Sequence, residues 1–291
     1  MLSAVTRILT ALLLLTAIGM AGIVAHGWMR AELPAGRRTP SFQAATDSAW
    51  IARGEHLARV TCAPCHARDG RPPLSGGSEN LLALDSTRAL GILWAPNLTP
   101  AGVLRTMSDG QIEVAIREGV GSDGHPLLIM PSEHYRQLSD LDVAALVGYL
   151  RSQPPIERVL PPRRLGIAPY ILLGLHQIST SAQPLVRAPI PHPTETDVPE
   201  YGRYLTQMMG CGDCHGADLR GGTTGPAHVP PGADLIALAH REEFPVFDRA
   251  LRGGVGSNGQ ALTSPMPWRL YSQLTDVESR AIYALLRSRP S

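Results

Sequence analysis

The chain has 291 residues, room for about two domains of ordinary size. Hydrophobic residues make up 44%, enough for packed cores, and the formal net charge of +1 gives no electrostatic footing for nucleic-acid binding. All 26 basic side chains are arginine, so any charged docking surface consists of guanidinium forks rather than ammonium groups.

The N-terminus reads as a targeting element. Arg7 precedes 18 uncharged residues, Ile8 to Ala25, which Trp28 and Arg30 close. That run just reaches the length of a bilayer span and exceeds the apolar core of a cleaved signal. Residues 1–30 are therefore expected to form an uncleaved transmembrane helix. Small residues near Ala25 and Gly27 leave a cleaved, secreted form open. Arg30, Arg37 and Arg38 after the span oppose Arg7 before it, so charge alone does not set its orientation. Residues 31–47 read as a flexible tether.

A short helical segment then runs into Cys62-Ala63-Pro64-Cys65-His66, and a second one runs into Cys211-Gly212-Asp213-Cys214-His215. C-x-x-C-H is the attachment signal of a c-type haem: the thiols add across the haem vinyl groups and the adjoining imidazole ligates the iron. The two motifs use all four cysteines. A zinc site would need a further Cys/His knuckle, and a thioredoxin-like pair would sit in a strand–helix alternation that neither motif shows. Two covalent haem c groups are the expectation. A porphyrin in each core also accounts for the 5% aromatic content. Covalent attachment of this kind resembles a bacterial process confined to the outer side of the inner membrane, so the bulk of the chain is expected to face the periplasm.

The repeat extends beyond these motifs. Ala115–Gly124 and Ala250–Gly259 share seven of ten residues, and Met130–Pro154 and Met266–Pro290 share 11 of 25. Gly54 stands eight residues before Cys62, and Gly202 nine before Cys211. The chain thus reads as mainly α, with two related domains at 48–157 and 198–291. Ser108-Asp109 caps a middle helix in the first half, and EEFPVFDRALRGGV is its counterpart. A final helix starts at Ser139-Asp140 and again at Thr275-Asp276, with Pro just past each end. Residues 158–197 form a Pro/Arg-rich connector. Its apolar stretch 165–175 is too short to span a membrane and is expected between the two lobes, with a lipid or partner-subunit contact as the alternative.

His66 and His215 each supply one axial ligand, and the opposite one separates an electron carrier from a haem enzyme. Met130 and Met266 occupy the same place in both copies, each followed by Pro in a loop before the final helix, and are the candidates. A thioether is a soft neutral ligand that raises the reduction potential. Met107, His125 and His134 are rivals in the first half, whereas Met208 and Met209 lie too close ahead of Cys211 to reach the far face. Tyr135 and Tyr271 follow each Met by five residues and are read as packing near the haem or in the core. Arg117 and Arg252 recur in R-x-G-V-G-S as propionate partners or solvated helix ends.

These motifs, the G-V-G-S-x-G element and the Met-Pro loop resemble class I cytochrome c domains in tandem. APNLTP at 95–100 and SDGQIEVAIREGVGSDGHPLLIMP at 108–131 are similar to the cytochrome c subunits of membrane-bound bacterial alcohol, aldehyde and gluconate dehydrogenases. Those subunits usually have three haems where two motifs stand here, and in the second half GPAHVPPGADL at 225–235 replaces APNLT. The resemblance implies electron transfer from a dehydrogenase subunit to quinone, an oxidase or another carrier. A dihaem peroxidase, with one iron able to open its sixth position, is the rival class.

Overall fold

The computed structural model describes residues 4–36, 38–83, 90–222, 231–262 and 266–291. Residues 1–3 of the expected anchor, Arg37 of the tether and residues 225–230 of the second-half segment fall outside these. The described chain is mainly helical, with α1 (Ala4–Glu32), α2 (Ser48–Thr61), α3 (Ala63–His66), α4 (Asp109–Glu118), α5 (Ser132–Tyr135), α6 (Asp140–Ser152) and α7 (Ile167–Gly174) in the first part. There follow α8 (Val198–Met208), α9 (Gly212–His215), α10 (Leu235–Arg241), α11 (Phe244–Gly253), α12 (Trp268–Tyr271) and α13 (Asp276–Ser288). Two short antiparallel ladders join them: β1 (Gly91–Ile92) with β2 (Arg164–Leu165), and β3 (Arg220–Gly222) with β4 (Gly232–Asp234).

The helix boundaries follow local chemistry. Ser108 and Thr275 close capping boxes with Gln111 and Glu278, and Ser139 accepts from the Asp142 N–H. Gly119 and Gly254 stop α4 and α11 in the left-handed region, at φ 63° and 65°. α1 has the length and composition of a membrane anchor or signal sequence: its best 18-residue window has mean hydropathy 2.4 and is wholly unburied.

Each half is built on one close helix crossing. α2 crosses α6 at Gly54, where an added Cβ would overlap the Ala145 carbonyl. α8 crosses α13 at Gly202 against the Ala281 carbonyl in the same way. The two glycines that stand eight and nine residues before the motifs are thus contact points, and a side chain at either would force the helices apart. Around the crossings lie Leu57, Leu146 and Leu150 in one half and Leu205, Leu285 and Leu286 in the other, all buried. Burial of each such leucine contributes roughly 1.5–3 kcal/mol.

The loop after the middle helix repeats bond for bond. Gly121 N–H donates to His125 O at 2.9 Å and Leu127 N–H to Gly119 O at 2.7 Å; Gly256 to Gln260 and Leu262 to Gly254 match them at 2.8 and 2.7 Å. This is the structural content of the repeated G-V-G-S element, up to the residue where each methionine loop begins.

Within the stretch 31–47, read as a flexible tether, residues 33–36 and 38–47 instead run along the first half. Ala44 N–H donates to Asp109 Oδ2 at 2.9 Å and Ala45 N–H to Ala144 O at 2.9 Å, while Arg38 pairs with Glu118 at 2.6 Å. The connector also wraps this half: Gln183 N–H bonds Glu118 O at 2.9 Å and Asp140 N–H bonds Ile190 O at 2.9 Å. The apolar stretch 165–175 does not lie between the lobes. It forms α7 and packs on α1, where Gly27 and Gly174 bring the two backbones into contact.

A buried polar cluster joins the halves. Arg53 on α2 donates to Asp142 at 3.0 Å within its own half and to Glu278 on α13 at 3.2 Å. His56 Nε2 meets Glu278 Oε2 at 2.8 Å, and Tyr204 of α8 donates to Asp142 Oδ2 at 2.6 Å. Asp142 and Glu278 are 0% and 2% exposed, so both carboxylates depend on these partners. Burial alone would raise the Glu278 pKa, yet hydrogen bonding to His56 and the charges of His56 and Arg53 hold it below its ordinary value.

Candidate functional site

Both C-x-x-C-H motifs sit at a helix end and turn into a one-turn helix, α3 or α9, that carries the histidine. His66 Nδ1 lies 2.9 Å from the Pro96 carbonyl and His215 Nδ1 lies 2.8 Å from the Ala233 carbonyl. A carbonyl oxygen only accepts, so each Nδ1 carries the proton and each Nε2 keeps its lone pair. Burial pushes the His66 pKa down, which also favours the neutral ring. An imidazole fixed through one nitrogen and free at the other is how proteins present histidine to a metal.

The carbonyl that orients His66 is itself held rigidly. Asn97 is 3% exposed; its Oδ1 accepts from Thr99 N–H at 2.9 Å and its Nδ2 donates to Ile156 O at 2.7 Å. These bonds fix the loop that presents Pro96, which gives APNLTP a physical role. The second half reaches the same end with different residues, since Ala233 lies in PPGADL, on β4. There is little room for error here: a Cβ at Gly232 would stand 2.7 Å from His215 Nδ1, and one at Gly77 would stand 2.7 Å from Cys65 O.

The four cysteines form no disulfide. Burial raises the thiol pKa of Cys62 to about 11 and of Cys211 to about 12. Tyr135 Oη donates to the Thr61 carbonyl at 3.0 Å, which ties the helix after Met130 to the residue before Cys62. Tyr135 is titrated upward by burial and then by the Cys62 and Cys65 thiols, and Tyr271 by burial and then by Cys211 and Cys214. Both tyrosines are buried in the core against which Cys62 and Cys211 pack. Met130 and Met266 are partly buried and pack against the same core, as do Cys62 and Cys211.

The other sequence candidates have separate partners. Met107 is buried in the first-half core. His125 faces Asp123 at 3.3 Å, and His134 Nε2 meets Asp213, inside the second motif, at 2.7 Å. Arg117 and Arg252 are not solvated helix ends: they clamp the middle helix to the start of the final one. Arg117 donates to Leu138 O and Asp140 at 2.6 Å each, and Arg252 donates to Leu274 O at 3.1 Å and Asp276 at 2.6 Å.

Sequence reasoning missed Arg53, His56, Asp142 and Glu278. The available signal was the pair of acids at the same register of the two final helices. Among the described residues, no group of three or more His, Cys, Asp or Glu converges on a metal position. The donor set at each motif is one oriented imidazole and two thiols beside a glycine-lined carbonyl contact, and it fits a covalently bound haem c.

Known proteins agree on the class. Residues 49–150 match the family model described as cytochrome c oxidase, cbb3-type, subunit III. The matched segment contains the first C-x-x-C-H motif, and a cytochrome c family model implies covalently bound haem c. The fructose dehydrogenase cytochrome subunit of Gluconobacter japonicus is 30% identical over 222 residues, 72% of this chain and 41% of that protein. The cytochrome c subunit of the quinone-type alcohol dehydrogenase of Gluconobacter oxydans is 29% identical over 206 residues, 65% of this chain and 40% of that protein. A nicotinate dehydrogenase subunit of Pseudomonas putida is 31% identical over 184 residues, 61% of this chain and 15% of that protein. The chain is thus similar to the cytochrome subunits of two dehydrogenases and to a subunit of a third, and it spans less than half the length of these relatives.

Proposed function

We propose that the chain is a membrane-anchored dihaem c-type cytochrome in which residues 48–157 and 198–291 are two cytochrome c domains. It passes single electrons on the periplasmic face of a bacterial inner membrane, from a dehydrogenase to an oxidase or other acceptor. The observation that carries this reading is the repeated histidine anchor: His66 on Pro96 O and His215 on Ala233 O, at 2.9 and 2.8 Å. Haem c, when bound, supplies one-electron exchange at iron. Cys62 and Cys65, and Cys211 and Cys214, would hold the group covalently, and His66 and His215 would ligate it through Nε2. Met130 and Met266 would complete the ligand sets, leaving no place on either iron for substrate.

The paired helix crossings, the matched G-V-G-S loops and the shared Met-Pro register support two equivalent units rather than one haem domain and a bystander. The pairing of His134 Nε2 with Asp213 at 2.7 Å supports methionine over that histidine as the sixth ligand in the first half. The test is Met130→Ala and Met266→Ala. Each is expected to abolish one near-infrared methionine–iron charge-transfer band and to lower the potential of one haem. Retention of both bands in either variant, or carbon monoxide binding by the reduced native protein, contradicts the closed-site reading.

A further inference from the structure

The apolar helix α7 lies antiparallel against the end of α1. Gly27 meets the Tyr170 carbonyl, Gly174 meets the Ile23 carbonyl, and Arg30 donates to the Leu173 carbonyl. At the other end of the contact, Tyr170 Oη donates to Glu32 at 3.0 Å and Arg163 bonds Ala31 O at 3.0 Å. The small-residue contact allows the backbone approach that helices packed in lipid use.

The depth of this contact follows from α1. Its 18 uncharged residues, Ile8 to Ala25, rise about 27 Å, close to the thickness of a bilayer's hydrocarbon layer. A helix that fills the layer with this run has Ile23 inside it and Arg30 about 10 Å further out, at headgroup level. Gly174 is beside Ile23, so the far end of α7 reaches the same depth. Trp28, 47% exposed, and Tyr170 lie where an interfacial aromatic belt belongs.

The tip is built for a place with little water. His176 takes the left-handed conformation, φ 58°, and the chain turns back with Gln177 N–H on Leu172 O at 2.9 Å and His176 N–H on Leu173 O at 3.2 Å. With Leu175 N–H on Ile171 O at 2.9 Å, this closure satisfies the Ile171, Leu172 and Leu173 carbonyls, as backbone in lipid requires. The imidazole of His176 packs on that of His26, with ring centroids 5.4 Å apart. Leu175 and Ile178 at the same turn are 47% and 41% exposed, with no part of the described protein over them.

We infer that α7 and the turn Leu175–Ser179 enter the leaflet on the side of the haem domains and contact lipid acyl chains there, as a second membrane-inserted element. The inference rests on the reading of α1 as an anchor. With Ala35, Arg38, Ala44 and Ala45 bonded to the first half, the α1–α7 pair then sets a fixed height and tilt of that half over the membrane.

The test places photoreactive p-benzoylphenylalanine at Leu14, Ile178 or Val277 of the full chain, reconstituted in phosphatidylethanolamine–phosphatidylglycerol vesicles. Lipid adducts are expected at Leu14 and Ile178 and none at Val277, an exposed residue on α13. The same label at Leu175 gives an independent reading of the turn and should also yield lipid adducts. Adducts at Leu14 with none at Ile178 and Leu175 overturn the inference and leave the anchor standing. No adduct at Leu14 overturns the anchor and the inference with it. In cell membranes, capture of another polypeptide by Ile178 in place of lipid overturns it in favour of a partner subunit.

Discussion

Glu278→Gln removes the charge that joins the two halves while keeping the side chain's size and its acceptor for the Thr275 N–H. Glu278 is 2% exposed, whereas the Arg53 and His56 side chains that face it are 17% and 23% exposed. Removing one partner of a buried pair costs about 3–5 kcal/mol, and the partial access of water to Arg53 and His56 brings this to about 2–3 kcal/mol. At roughly 2–4 °C per kcal/mol for a chain of this size, the melting temperature should fall by about 4–12 °C at pH 7. The pKa of Glu278 is lowered in the folded state, so its contribution is fully present above the ordinary glutamate value and is lost as pH falls through the lowered one. The gap between wild type and variant should therefore be present at pH 7 and close as pH drops below about 4.3. Far-UV circular dichroism melts across pH 3–8 measure both. An unchanged melting temperature at pH 7, or a gap that widens in acid, refutes the assignment of Glu278 as the charged link.

Gly232→Ala puts a methyl 2.7 Å from His215 Nδ1 and should misalign that imidazole, giving one high-spin haem by electron paramagnetic resonance. Gly259→Ala is the contrast: an added Cβ meets nothing within 4 Å, and only the left-handed φ of 77° is penalised, at about 1–2 kcal/mol with ligation intact. Tyr135→Phe removes the 3.0 Å bond to Thr61 O and should cost about 1–2 kcal/mol, read by denaturant titration, with two haems still attached.

The helix starts were legible in the sequence because capping is local: Ser108, Ser139 and Thr275 accept from the backbone three residues on. The repeat was legible because the same bonds demand the same glycines at 119 and 254. The stretch 165–175 shows where such reading ends. Its composition required burial but did not specify a partner, and the partner proved to be α1 through Gly27 and Gly174. The tether failed for a related reason, since polar and small residues that look free in sequence bond laterally to Asp109 and Ala144. The anchoring carbonyl of the second half was hidden because only its position matters: Pro96 and Ala233 share an oxygen, not a side chain. The link between halves was spread over Arg53, His56, Asp142 and Glu278, up to 225 residues apart, a separation no local pattern reports.

In the proposed dihaem form each C-x-x-C-H motif carries its own haem. Alkaline pyridine haemochrome analysis, together with intact mass of the chain, counts them. Two haems are expected per wild-type chain and one in each of Cys62→Ala/Cys65→Ala and Cys211→Ala/Cys214→Ala; a single haem in the wild type would refute the dihaem form.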